Sequence, residues 1–179
     1  MPFPDVPLAQ GALTLRRPRA DDAAVVVPLL RDPEIPLWTR VPPDGTPEDW
    51  HAWLATAEDE AAAGRGVSLL VEERGLGVVG SVGVHGVAGG CGEVGPWVAA
   101  HARRRGIAAR AVRLLTAWAH AELGARRLEL LAHVDNRPSQ RVARAAGYAD
   151  TGQRRRDVPG ARPGAYLVFA SEGEAPGAS

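Results

Sequence analysis

Cysteine is almost absent from the chain, which carries a single one, Cys91, among its 179 residues. One cysteine excludes a disulfide within the chain, and proteins without disulfides are typical of a reducing compartment. No apolar run reaches the length of a transmembrane helix, and residues 1–5 lack the basic region followed by an apolar one that marks a secretory leader. We therefore predict a cytoplasmic protein with no membrane partner.

An excess of charge of either sign is also missing. Lys and Arg together number 21 and Asp and Glu together number 21, so the formal net charge is zero. A global electrostatic attraction to nucleic acid is therefore absent, and any basic site has to be local. The arginine triplets at 103–105 and 154–156 have no aromatic residues interleaved, which argues against an RNA-binding module. We predict no nucleic-acid partner.

Metal-ligand spacings are the third absence. The histidines are scattered and none forms a His-x-x-x-His pair: His51, His85, His101, His120 and His133. Together with the single cysteine, this spacing predicts no metal site. His85 falls at the end of a predicted strand. We interpret it as a strand histidine whose hydrogen bonds are satisfied, rather than as a residue of an acceptor cleft.

The sequence does contain an ordered succession of strand and helix patterns, and its length fits one domain. Strands are predicted at 13–16, 67–72, 78–84, 93–99, 127–134, 154–158 and 165–170. Helices are predicted at 24–30, 47–63, from 107 until Gly124 and from 138 until Gly147, with irregular connections at 35–43 and 86–92. A helix joins the fourth strand to the fifth, so these two should be parallel neighbours. The predicted fold is α/β (α+β), a mixed, mostly antiparallel sheet of about seven strands flanked by about four helices.

Residues 92–124 are the stretch on which the functional interpretation depends. A strand leads through the basic turn Arg103-Arg104-Arg105-Gly106 into an amphipathic helix. Small residues at Gly106 and Ala108 leave backbone N–H groups uncrowded at the positive end of that helix. Such a place binds phosphate, and the arginines add charge that neutralises more than one phosphate group.

Three motifs resemble one family of enzymes. Arg103-x-x-Gly106-x-Ala108 resembles the Arg/Gln-x-x-Gly-x-Gly/Ala motif with which GNAT acetyltransferases hold the pyrophosphate of acetyl-CoA. Asn136-Arg137-Pro138-Ser139, with Gly147-Tyr148 further on, is similar to the Asn-x-x-Ser...Gly-Phe/Tyr signature of the RimJ/RimL branch, the ribosomal-protein N-terminal acetyltransferases. Glu93-Val94-Gly95-x-Trp97-Val98 resembles the fourth strand of the same branch. The predicted element order is also similar, from Leu13 to Ala170.

The length predicts one domain over residues 1–171, and the composition of residues 172–179 predicts a disordered tail. The resemblance implies that this domain is an acetyltransferase with acetyl-CoA as its cosubstrate. It implies that the pantetheine arm of acetyl-CoA lies between the fourth and fifth strands. The cofactor-binding residues that it implies are Trp97, Val98, Arg103, Arg104, Arg105, Gly106, Ile107, Ala108, Asn136 and Ser139. The side chain of Asn136 either bonds the pantetheine amides or braces its own loop.

Acetyl transfer to an amine requires a group that takes the ammonium proton and a proton for the departing thiolate. Glu93 is the predicted general base, acting directly or through a water. Ser139 resembles the family hydroxyl near the CoA sulfur and is the predicted acid, with N-capping of a helix as its alternative role. Tyr148 is a rival acid, unless it belongs to the core.

Two positions depart from the pattern of the branch. Pro96 stands where a tyrosine is common, and Arg110 stands near the place of a helical glutamate. A proline cannot donate to a sheet ladder, so Pro96 implies a bulge or an unpaired strand edge. The residues expected to wall the acceptor site are Trp38, Trp50, Trp53 and the final strand pair.

The predicted function is transfer of acetyl from acetyl-CoA to a primary amine by direct attack. The acceptor is a peptide N-terminus or a small molecule. A covalent route is disfavoured because Cys91 lies among glycines and has no activating partner in the sequence. The alternative is a non-catalytic acyl-CoA-binding sensor, which needs the phosphate site but no base such as Glu93. A homodimer is left open.

Overall fold

The structure is a computed structural model that describes residues 4, 7–41, 45–156 and 158–173. Within these ranges the strands are β1 (Leu8–Gln10), β2 (Leu13–Arg16), β3 (Val67–Glu73), β4 (Gly77–Ala88), β5 (Cys91–Val98), β6 (Arg127–His133), β7 (Ala149–Arg156) and β8 (Ala165–Glu172). The helices are α1 (Ala23–Leu30), α2 (Glu34–Trp38), α3 (Pro47–Ala62), α4 (Ile107–Glu122) and α5 (Arg137–Ala145). Short 3-10 turns lie at Ala20–Asp22 and Ala100–Ala102.

The strands form one sheet in the order β1-β2-β3-β4-β5-β6-β8-β7. Neighbouring strands are antiparallel except β5 and β6, which are parallel because α4 carries the chain back across the sheet between them. The predicted mixed sheet with its parallel pair is therefore confirmed. In the described part of the chain, β5 pairs with β6 only at Cys91–Glu93, opposite Arg127–Glu129. Beyond Glu93 the two strands part.

Helices cover both faces of this sheet. The apolar side of α4 packs on one face, as its periodicity predicts: Ile107, Ala111, Val112, Leu115 and Ala119 are buried there. On the other face, α1 and α3 form a smaller core with Leu70 and Val78. Neighbouring residues of a strand point to opposite faces, which is why Leu69 and Val71 belong to the first core and Leu70 to the second. The side of the sheet that faces α1 and α3 also carries the candidate site.

Several boundaries differ from the sequence predictions. Residues 86–92 were predicted to be a flexible connection, but β4 and β5 continue into them and meet in a tight hairpin at Gly89 and Gly90. Both glycines have positive φ, 56° and 80°, as two-residue hairpin turns require. The segment predicted to be irregular at 35–43 contains α2, in which Pro36 lies in the first turn, where a missing N–H costs nothing. Residues 42–44 of that segment lie outside the described ranges.

The ends of the fold also differ. β1 was not predicted, and β7 begins at Ala149 rather than at 154. Of the tail predicted at 172–179, Glu172 belongs to β8 and residues 174–179 lie outside the described ranges. In the residues that the structure describes, no helix is both long and apolar enough to cross a bilayer.

Candidate active site

A cleft of about 460 Å³ opens on the side of the sheet that faces α1 and α3. Its floor consists of alternate residues of β4 and β5, whose side chains share one face. Three cross-strand pairs form this floor: Ser81 with Trp97, Gly83 with Gly95, and His85 with Glu93. The middle pair consists of two glycines, so no side chain covers the centre of the floor. At one end of the floor, His85 and Glu93 carry polar groups.

Aromatic side chains form much of the cleft wall. Trp50 and Trp53 of α3 stack with their ring centroids 4.8 Å apart, beside Val26 and Leu30 of α1. Trp38, at the end of α2, lies on another side of the cleft. The three tryptophans that were predicted to wall an acceptor site therefore all line this cleft. No pattern in the sequence shows that they converge, because they come from two separate helices.

Trp38 is held by a cluster of rings between β6 and β8. Its ring centroid lies 5.7 Å from that of His133, whose own ring meets Tyr166 edge-on at 5.1 Å. The Asp135 amide donates to Nδ1 of His133 at 3.2 Å, and Nε2 lies 3.3 Å from the carbonyl oxygen of Pro163. This wall is fixed by ring packing and by both ring nitrogens of His133.

Glu93 lies on the cleft floor, at the point where β5 parts from β6. Its carboxylate forms an ion pair with Arg40, with Oε1 and Nη2 2.9 Å apart. The Glu93 side chain keeps 28% of its exposure and that of Arg40 keeps 43%. The carboxylate predicted to act as a base is thus accessible from the cleft and has a cation beside it.

His85 also faces the cleft, contrary to the prediction of a satisfied strand histidine. Neither of its ring nitrogens has a hydrogen-bond partner among the described residues. Burial lowers the pKa of His85, the carboxylates of Glu60 and Glu93 oppose this effect, and Arg40 adds to it. The prediction was wrong because it treated 86–92 as a loop. A hairpin turn at 89–90 alone would have aligned His85 with Val94, and the register shift between His85 and Ala88 places it opposite Glu93.

The turn predicted to bind phosphate (residues 103–106) has the backbone that the motif implies. Gly106 is the N-cap residue of α4, with φ of 71°, and no side chain caps the helix there. Arg104 also has positive φ, 62°. The first amides of a helix have no partner within the helix, so those of Ile107 and Ala108 are available at its positive end. The local geometry is that of an anion site.

The three arginines of this turn differ in their contacts. Arg103 bonds the Val98 carbonyl and forms ion pairs with Asp32 at 2.6 Å and Glu34 at 2.9 Å. It therefore ties the turn to the start of α2. The side chains of Arg104 and Arg105 are exposed and have no partner among the described residues. The charge available to a ligand comes from these two residues.

Asn136 and Ser139 lie at the start of α5. Asn136 is the N-cap residue, and its Oδ1 accepts from the Ser139 amide at 3.0 Å. The capping role considered for Ser139 is therefore wrong. The Ser139 residue lines the cleft, and its hydroxyl has no partner among the described residues. Asn136 braces this loop and is not among the residues that line the cleft.

Tyr148 lies in the core and not in the cleft. Its hydroxyl is 2.7 Å from Oγ1 of Thr116 on α4, and the residue is only 3% exposed. Burial raises the pKa of Tyr148 to about 12, although the hydrogen bond with Thr116 opposes the rise. Both its position and its weak acidity make Tyr148 unsuitable as the acid of the cleft.

The two departures from the branch pattern have structural explanations. Pro96 lies opposite Val82 in a regular part of the β4–β5 ladder, while the register shift of that ladder lies at His85–Ala88. Pro96 is beyond the last residue of β5 that pairs with β6, so an unpaired edge is correct and a bulge is not. Arg110 forms an ion pair with Glu73 at 2.8 Å. Because its guanidinium is engaged there, we assign it no role in binding the acceptor.

Comparison with known families identifies the chain. The family model for the acetyltransferase (GNAT) domain matches residues 12–149. This match covers most of the chain, and the chain therefore belongs to the GNAT acetyltransferase family. It is an N-acetyltransferase, as the resemblance implied. No curated protein sequence matches it significantly.

Solved structures with the same fold include several of the RimJ/RimL type, in agreement with the predicted branch. Ribosomal-protein-S5-alanine acetyltransferase from Vibrio fischeri is 16% identical with a TM-score of 0.83, over 95% of this chain and 98% of that one. RimL, a ribosomal L7/L12 alpha-N-protein acetyltransferase in complex with coenzyme A, is 14% identical with a TM-score of 0.84, over 94% and 98%. Mycobacterium smegmatis RimJ, in complex with CoA-disulfide, is 23% identical with a TM-score of 0.80, over 93% and 86%. At these identities the likeness shows the fold alone.

Proposed function

We propose that this protein moves acetyl from acetyl-CoA to a primary amine, which attacks the thioester directly in a ternary complex. The observation that carries the proposal is the parting of β5 from β6 beyond Glu93. Within the part of the chain that the structure describes, this leaves one edge of β5 unpaired beside a cleft that contains Glu93 and Ser139. Unpaired backbone groups at a strand edge are partners for the amides of a pantetheine arm. We propose that the arm lies between the two strands, along Trp97 and Val98.

The pyrophosphate of acetyl-CoA would then lie at the start of α4. The amides of Ile107 and Ala108 and the positive φ of Gly106 support this position. Arg104 and Arg105 supply the charge, and Arg103 fixes the turn through Asp32 and Glu34. The structures of RimL with coenzyme A and of RimJ with CoA-disulfide support the choice of cosubstrate.

The chemistry needs two proton transfers besides the attack. We propose that Glu93 draws the proton from the acceptor ammonium, directly or through an intermediary. The free amine then attacks the acetyl carbonyl carbon, the C–S bond breaks and its electron pair leaves with sulfur. The amine nitrogen loses its second proton and the thiolate gains one, for which the hydroxyl of Ser139 is our candidate donor. The Ser139 hydroxyl has no hydrogen-bond partner among the described residues, which supports this role.

The acceptor that we propose is a primary amine, either a peptide N-terminus or a small molecule, in the cytoplasm. RimL and the Vibrio fischeri enzyme are acetyltransferases of ribosomal proteins, which supports the first. A cleft of about 460 Å³ with a wall of stacked tryptophans suits a small-molecule amine equally well. Both acceptors present the same ammonium group to Glu93.

The proposal is tested by measuring free-thiol release from acetyl-CoA across a library of amines and N-terminal peptides, with acetylated product confirmed by mass spectrometry. We expect at least one acceptor to give release well above hydrolysis in buffer. Calorimetry with acetyl-CoA distinguishes the enzyme from the alternative, a non-catalytic acyl-CoA-binding sensor. Binding without turnover on any acceptor would favour the acyl-CoA sensor, and absence of binding would contradict both.

A further inference from the structure

The polar end of the cleft floor contains a second group suited to proton transfer. We propose that His85 is a catalytic residue: its imidazole takes the proton from the acceptor ammonium, and Glu93 stabilises the imidazolium that forms. This inference rests on the proposed function and makes His85 the group that receives the proton, with the carboxylate of Glu93 as its charge partner.

Strand register brings the two residues together. His85 and Glu93 are direct partners in the β4–β5 ladder and both line the cleft. Side chains of directly opposed residues start from Cβ atoms about 5 Å apart, within reach of a charge-assisted hydrogen bond. Arg40 occupies Oε1 of Glu93. The other carboxylate oxygen has no recorded partner in the described part of the chain.

The imidazole lies over the bare centre of the floor. A Cβ atom added to Gly83 would lie 2.6 Å from Nε2 of His85 and 2.9 Å from its Cε1. The ring therefore folds back along β4 over Gly83, a position that a larger residue at 83 would block. A Cβ atom added to Gly95, the cross-strand partner of Gly83, would meet nothing within 4 Å. The ring thus borders open space in which an acceptor amine has room.

A structural role does not account for this histidine. The ring nitrogens of His120 contact the Ala125 carbonyl and the Ser171 hydroxyl, and those of His133 are both bonded as well. His51 and His101 are exposed. His85 is partly buried, and its nitrogens have no partner in the described ranges.

Burial of His85 favours a neutral imidazole that is ready to accept a proton, and three charged groups modify this effect. Glu60 faces it from α3, Glu93 from β5 and Arg40 from the segment after α2. Burial lowers the pKa of His85, Arg40 lowers it further, and the two carboxylates oppose the shift. The lowered pKa favours the neutral imidazole, and the carboxylate of Glu93 offsets part of the cost of charging it during the reaction.

The ammonium nitrogen gives one proton to an imidazole nitrogen of His85 and becomes a neutral amine. The amine attacks the acetyl carbon, the C–S bond breaks with its electron pair on sulfur, and the second proton of the nitrogen passes to the thiolate by way of solvent or the Ser139 hydroxyl. The imidazolium then releases its proton to solvent and returns to the neutral form.

The test compares His85→Gln with the wild type, and with His51→Gln as a matched control at an exposed histidine. With an acceptor from the library, we expect His85→Gln to lower kcat/KM at pH 7 by roughly 10²-fold. Acetyl-CoA affinity should stay within about threefold, and His51→Gln should match the wild type. The pH profile is the deciding readout. For two amines of different pKa, the acidic limb of the wild-type profile should be the same, whereas in His85→Gln it should follow the amine.

Chemical rescue provides a second measurement that a structural role would not affect. Added imidazole should restore part of the rate of His85→Ala and leave His51→Ala unchanged, and thermal melting shows whether each variant is folded. A His85→Gln enzyme with the wild-type rate and acidic limb would overturn the proposal, as would a folded His85→Ala enzyme that imidazole does not rescue. A wild type that acetylates no amine would instead overturn the proposed function.

Discussion

The guanidinium of Arg40 lies 2.9 Å from the carboxylate of Glu93 and joins the segment after α2 to the floor of the cleft. The same guanidinium contributes to the low pKa of His85. One residue therefore adjusts the charge around both groups that we assign to proton transfer. The short segment that carries it leads directly into residues 42–44, outside the described ranges.

Removing this charge should shift the titration of His85. In the wild type the pKa of His85 should lie below its ordinary value of about 6.5, mainly because of burial. Arg40→Gln removes a positive charge that disfavours the imidazolium, so the pKa of His85 should rise. NMR titration of the imidazole measures this without any acceptor. Arg17→Gln, at an exposed arginine paired with Glu58, should leave the titration unchanged.

A side chain at Gly106 should weaken acetyl-CoA binding. Gly106→Val forces a β-branched residue to φ of 71° and crowds the amides at the start of α4. Gly124→Val is the matched control, because Gly124 has φ of 61° at the other end of the same helix and open space around its Cβ position. Both variants should lose similar stability, about 1–3 kcal/mol.

Calorimetry with acetyl-CoA distinguishes these two glycines. We expect only Gly106→Val to weaken binding, by roughly 10-fold or more, since only this variant disturbs the anion site. Equal affinity in the two variants would mean that the pyrophosphate does not lie at the start of α4.

Tyr148→Phe should separate stability from activity. The change removes the hydrogen bond to Thr116 and leaves a buried hydroxyl without it, at a cost of about 1–2 kcal/mol. Acetyl transfer should change less than about twofold, because Tyr148 lies in the core. Urea unfolding and steady-state kinetics measure the two effects. A large loss of rate in a stable variant would return Tyr148 to the role of acid.

Asp22→Asn should destabilise the fold in a pH-dependent way. Asp22 is buried beside Arg16, with contacts of 2.6 and 2.8 Å, and it also accepts from the Arg19 amide. Burial raises the pKa of Asp22, but these hydrogen bonds outweigh it and hold the pKa below its usual value. Its stabilising contribution is therefore complete above about pH 4 and lost as the pH falls through the lowered value.

At pH 7 we expect Asp22→Asn to cost about 2–4 kcal/mol in urea unfolding, because the largely buried guanidinium of Arg16 loses one of its two carboxylate partners and keeps only Glu72. The difference from the wild type should shrink below about pH 4. Asp21→Asn, at the exposed neighbouring residue, should change stability by less than about 0.5 kcal/mol. A constant difference across this pH range would contradict the assigned pKa shift.

Elements with local sequence signals could be predicted from the chain. Thr46 is the N-cap residue of α3, as a threonine followed by a proline and two acids predicts, and it forms a capping box with Asp49 through reciprocal bonds of 3.2 and 2.8 Å. The periodicity of α4 gave its buried face and hence the parallel pair β5–β6. β1 could not be predicted, because three residues carry no periodicity and their pairing with β2 decides their structure.

The residues of the candidate site could be predicted less completely than the helices and strands, for a physical reason. Motifs placed Glu93 and Ser139, which do line one cleft. His85 and Arg40 belong to no motif, and their positions depend on a hairpin register and on the path of the chain after α2. Such relations arise from tertiary packing, which single-sequence patterns do not encode.

The most direct test of the account is the turnover of Glu93→Gln with an acceptor that the wild type acetylates. The amide replaces the carboxylate at nearly constant volume, so acetyl-CoA affinity should stay within a few-fold. Turnover at neutral pH should fall by roughly 10²-fold, with a residual rate that rises with pH as a larger share of the amine is already unprotonated. Glu122→Gln, at an exposed residue at the end of α4, is the control. Unchanged turnover in Glu93→Gln, with the chemical step rate-limiting, would contradict the central claim that Glu93 takes part in deprotonating the acceptor.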